Sequence, residues 1–164
     1  MVNINKNELD LKRSSEHLHY EFGMLNALAQ VMAMNITGNG VLSNAMLESF
    51  AIHVRGLVFF LFPENPKPDD VLASHFVLNV TDWENARGSK SEILKKAQSR
   101  AGKEVAHLTY ERLNVTPEAK QWAFIEITNE INRVIKIFLQ HAKQDLLSES
   151  WKPSIVQMGV KNET

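Results

Sequence analysis

Lys96, Arg100, Lys103 and His107 are the residues of this chain whose types and spacing could do chemistry. Wound at 100° per residue they fall within about 60° of arc, on a different side from Leu94, Ala97, Ala101, Val105 and Leu108. Arginine stays charged at any ordinary pH and offers a planar fork that matches phosphate oxygens, while histidine titrates near neutrality and can give or take a proton. Lys96 and Lys103 add positive charge beside them. The pattern therefore suits a phosphodiester: one group steadies charge on the phosphoryl oxygens and another moves a proton at a neighbouring oxygen. The same residues also describe an ordinary solvated basic face with a histidine on it.

Holding that face in place requires helices, and the sequence supplies four long ones. Asn5 with Glu8 reads as a capping box for a first helix over about residues 7–34, whose stripe is Leu11, Leu18, Phe22, Leu25, Ala29 and Met32. Thr37-Gly38-Asn39-Gly40 stops it, since glycine and asparagine accept the left-handed turn conformation. Val41 to Phe62 reads as a buried central helix with Asn44, Glu48 and Arg55 on one narrow edge and Met46, Phe50, Leu57 and Leu61 opposite. An unpaired buried charge costs several kcal/mol, so Glu48 is expected to meet Arg100, Lys103 or His107. His53 lies on another side and reads as a hydrogen-bonded core or boundary histidine.

Pro63, Pro66 and Pro68 end the second helix. Short helical turns are expected at Asp69–Ala73 and at Asp82–Glu84, with Phe76 and Trp83 as a lid. Ser89 with Glu92 opens a third helix predicted to run to about Arg112, before Asn114. Thr116 and Pro117 open a fourth, whose stripe of Phe124, Ile127, Ile131, Val134, Ile135, Phe138 and Ala142 carries it to about Leu147. The fold class predicted is all-α, an antiparallel bundle of four long helices with short helices and loops between the second and third. Residues 1–148 form one domain in this reading, and residues 149–164 a polar C-terminal tail.

Composition narrows the function classes. The 164 residues, 44% hydrophobic and 23% charged, are enough for a core without staples. No cysteine is present, which excludes disulfides, thiolate metal sites and cysteine nucleophiles. Net charge is -1, giving no overall pull towards nucleic acid or anionic lipid. Between Ala86 and Arg112, however, seven basic residues stand against three acidic ones, a local +4 that leaves -5 for the rest. The polar start MVNINKNELD is unlike a signal peptide, and Asn44, Glu48, His53 and Arg55 interrupt the one apolar stretch long enough to span a bilayer. A cytoplasmic protein with no membrane contact, no metal and no cofactor is expected.

Arg100-Ala-Gly-Lys-Glu-Val-Ala-His107 resembles the arginine, four to six residues, histidine motif of HEPN domains (higher eukaryotes and prokaryotes nucleotide-binding), and the expected helical architecture is similar to theirs. The resemblance implies a metal-independent endoribonuclease, or an RNA-binding component of a toxin-antitoxin or defence system, working as a homodimer whose two motifs share a cleft. It implies catalytic roles for Arg100, on the phosphorane, and for His107, as general acid or base. Lys96 and Lys103 would bind substrate, and Glu48, with Asn44 and Arg55 on the same edge, would support the site.

Two other readings stand beside it. Glu16-His-Leu-His19 and Glu104-Val-Ala-His107 are both Glu-x-x-His, and with Glu48 and Glu130 they suggest a di-iron carboxylate bundle, although Arg100 and Lys103 would repel a dication. A non-catalytic helical module that binds a partner protein explains the missing charge excess without further assumption.

Overall fold

The computed structural model describes residues 7–36, 38, 40–106, 109, 110, 113, 116 and 121–160. Asn5, Thr37, Asn39, His107, Leu108, Arg112, Asn114 and Pro117, which carry expectations above, lie outside the described residues. What is described is all-α: α1 (Glu8–Ala33), α2 (Val41–Leu61), α3 (Val80–Arg87), α4 (Glu92–Arg100), α5 (Phe124–His141) and α6 (Lys152–Gln157), with no strand among them.

The first two helices match the periodicity within a residue or two. Asn7 caps α1, its Oδ1 accepting from the Asp10 amide at 2.9 Å. Asn35 and Gly38 take the positive φ values, 49° and 60°, that turn the chain between α1 and α2. By length and composition α2 is the one helix among the described residues that would suit a membrane span.

The later helices depart from expectation. Ser91, not Ser89, precedes α4. That helix ends at Arg100 rather than near Arg112, and the backbone continues as a π-helix over Ala101–Ala106. The next α-helix among the described residues begins at Phe124, with residues 121–123 outside any helix. It stops at His141 instead of Leu147, because the backbone there is drawn into other bonds: Leu78 N–H donates to His141 O at 3.0 Å and Lys143 N–H to Phe76 O at 2.8 Å. Asp69–Ala73 is not a helical turn; a 3-10 turn follows at Ala73–His75. Around Asp82–Glu84 the whole of α3 forms, capped by Asn79, whose Oδ1 accepts from the Thr81 and Asp82 amides.

The chain divides into two compact units. The first comprises Met1–Tyr20, Phe59–Ser89 and Asn132–Thr164. Its core is an aromatic cluster in which Phe60, Phe76 and Trp83 all meet the Phe138 ring edge-on, with centroids 5.2, 6.1 and 5.9 Å away. Arg87 lies over Phe62 and Trp83, and its Nη1 donates to the carbonyl of Leu61, the last residue of α2.

Residues 149–160 are not a frayed tail. Trp151 is fully buried, and its Nε1 donates to Ser15 O in α1 at 2.9 Å. One turn of chain before it, the Ser148 amide donates to Ser15 Oγ at 2.7 Å. Ile155 and Val160 are buried as well, so the segment is a strap docked on α1.

His19 meets Trp151 edge-on at 5.1 Å, and burial pushes its imidazole below the ordinary value of 6.5. The native state thus holds a proton on His19 less readily than the unfolded chain does. Its contribution to stability is complete above about pH 6.5 and is lost as pH falls through the lowered folded value. Acidification from pH 7.5 to 5 is expected to lower the amide-exchange protection factors of residues 148–157, taken relative to the intrinsic rate at each pH, and His19→Gln should remove that decrease.

The second unit comprises Glu21–Val58 and Lys90–Ile131. Leu25, Ala29, Phe50, Val54, Leu57, Leu94, Ala97, Ala101 and Ile131 are all at least 98% buried in it. Phe50 is at the centre of its aromatic packing, edge-on to Trp122 at 6.1 Å and to Phe124 at 5.1 Å. His53 is buried and pairs with Glu21 across α1 and α2, Nδ1 to Oε2 at 2.6 Å, as a boundary histidine would.

Candidate functional site

The site to be tested is built on α4 and the π-helical segment after it. The apolar face of α4 seats Leu94 and Ala97 in the core, and Ala101 extends that face. This turns Lys96 outward into solvent and leaves Lys103 exposed, while Arg100 is largely covered. A π-helix closes i→i+5 bonds, a wider turn than an α-helix, so the 100° spacing that aligned Lys103 and His107 with Arg100 ceases to apply at Ala101. Arg100, Lys96 and Lys103 are thus placed. His107 lies outside the described residues.

Arg100 is held on every side the structure records. Its Nε donates to both oxygens of Glu104, at 2.9 and 3.0 Å, and Nη2 lies 2.9 Å from Oε2. Nη1 donates to the carbonyl of Gln121 at 2.8 Å. The plane of the guanidinium stacks over Trp122, 4.5 Å from the ring centroid. Only 12% of the Arg100 side chain and 22% of Glu104 remain exposed, so this is a shielded carboxylate fork. A phosphate arriving here would have to displace an intramolecular carboxylate.

Glu48 is not the partner of that arginine, because it is exposed and needs no buried counter-charge. Asn44, Glu48 and Arg55 are all exposed, because the polar edge of α2 faces solvent. Among the described residues Glu48 and Arg55 take no ion-pair partner. The three residues expected to support Arg100 therefore sit on a surface of their own.

Among the described residues, the carboxylates and His19 of the di-iron reading do not assemble either. Glu16 is exposed, His19 faces Trp151, and Glu104 is committed to Arg100. No group of three or more metal-ligating side chains comes together among the described residues.

No family model, curated protein or solved structure matches this chain. The functional reading accordingly rests on its own side chains. Those missed in the sequence are Glu104, Gln121 and Trp122. Only Glu104 had a local signal, since an arginine with a glutamate four residues on is a standard helical pair.

Proposed function

We propose that this protein is a non-catalytic helical module that acts by binding another protein chain in the cytoplasm, its helices arranged as an antiparallel bundle of four long members. The observation that carries the reading is the state of Arg100. Its charge is matched by Glu104, its Nη1 is occupied by Gln121 O and one face is covered by Trp122, which makes it a brace. The competing reading is the HEPN-like ribonuclease, favoured by the exposure of Lys96 and Lys103 on the same segment.

One experiment separates them. Purified protein is incubated with RNA in excess chelator, alongside Arg100→Ala and His107→Ala. The binding reading expects no cleavage from any of the three. It also expects Arg100→Ala to lower stability by about 1 to 3 kcal/mol in urea, the scale of a charge-assisted hydrogen bond left unmade. Cleavage leaving 2′,3′-cyclic phosphate ends, lost at least a hundredfold in both folded variants, would overturn this reading in favour of the nuclease.

A further inference from the structure

The exposed face of α2 has the pattern of a helix that pairs with a copy of itself. Leu42 is 63% and Ile52 60% exposed, although the helix that carries them supplies the fully buried Phe50 and Val54 on its other side. Ala45 and Gly56, also exposed, belong to the same face. The positions 42, 45, 49, 52 and 56 step by three and four in turn, the seam spacing of two helices packed at a shallow angle. Ala45, Ser49 and Gly56 are small, which lets a second helix come close, while Leu42 and Ile52 provide the apolar contact.

Charge decides the occupant. Glu48 and Arg55 flank the seam on one side, seven residues apart and about 10 Å along the axis, and neither has an ion-pair partner among the described residues. Ile52 lies next to their midpoint. In a parallel pair of α2 helices the two copies' Glu48 and Arg55 rows would lie on opposite sides of the seam and gain no charge partner across it. In an antiparallel pair each Glu48 faces the other copy's Arg55, twice over, about a two-fold axis near Ile52. The face is self-complementary in one orientation only.

We infer that the partner of this module is a second copy of the same chain, docked antiparallel through the Leu42–Gly56 face of α2. This rests on the binding reading above, whose partner it names. One helix pair is small against the roughly 1,200 to 2,000 Å² of a stable interface. The dimer is therefore a reversible one whose population rises with concentration.

The test is sedimentation equilibrium by analytical ultracentrifugation over micromolar to millimolar concentration, on the full chain and three variants. The wild-type chain should move from 18.6 kDa towards twice that mass. Glu48→Arg and Arg55→Glu should each weaken association about tenfold, since by symmetry each reversal turns two attractions into two repulsions. The double variant carrying both changes should recover wild-type affinity, because the antiparallel pair is again matched. Both positions in the charge pattern are exposed, and unchanged urea midpoints check that folding is intact. A chain that stays monomeric throughout overturns the inference, as does a dimer indifferent to the single reversals or not restored in the double variant. Failure here with no RNA cleavage leaves a binding module with another partner, whereas chelator-resistant cleavage removes the binding reading itself.

Discussion

Trp151→Ala is expected to cost about 3 to 5 kcal/mol, the range for deleting a large buried aromatic side chain. The residue is fully buried, and its indole N–H is bonded to Ser15 O, so the substitution opens a hole and breaks the tie to α1 together. With the strap released, Ile155 and Val160 lose their cover as well. Urea denaturation reads the total, and amide exchange across residues 148–157 shows whether the strap leaves first. Trp151→Phe keeps most of the apolar volume and should recover more than half of the loss. A change below 1 kcal/mol in the alanine variant would mean the strap adds nothing to the core.

Phe50→Ala should cost as much, in the other unit. Its ring is fully buried and touches Trp122 and Phe124 edge-on, geometries worth about 0.5 to 1.5 kcal/mol each beyond the area they cover. Adding the cavity gives about 3 to 5 kcal/mol in all. Trp122 also stacks on Arg100, so the vacancy reaches the carboxylate fork through one shared ring. Phe50→Leu fills most of the space and should lose less than half as much. Trp122 fluorescence should shift in both variants if the packing is as described, and an unshifted spectrum in Phe50→Ala would contradict it.

What could be read in advance depended on how local the physics was. The spans of α1 and α2 follow from long apolar stripes with glycine and asparagine between them, and both are present nearly as expected. The error on α2 came from its overall apolarity. Exposed leucine and isoleucine are ordinary on protein surfaces, so Leu42 and Ile52 were no guide to burial, and Glu48 never needed an internal partner.

Arg100 divides the same way. Its pairing with Glu104, four residues away, carries a local signal that was passed over, while the Gln121 carbonyl and the Trp122 ring reach it from 21 and 22 residues further along. The π-helix is a matter of backbone register, which side-chain periodicity does not encode. In residues 149–160 a polar composition concealed Trp151, Ile155 and Val160, three apolar residues spaced to bury together.

The bond from Arg87 to the last carbonyl of α2 makes a ring of the chain between them. With Leu61 and Arg87 clamped, the path from Pro63 to Asp70 is free to change in length, since doubling a flexible loop adds only about 0.6 kcal/mol of closure entropy. Residues 64–69 are exposed, and Asn65 already adopts a positive φ of 52°. For protein engineering this is the natural port in the molecule, where an epitope, a fluorophore-bearing peptide or a small inserted domain can be carried without disturbing either end.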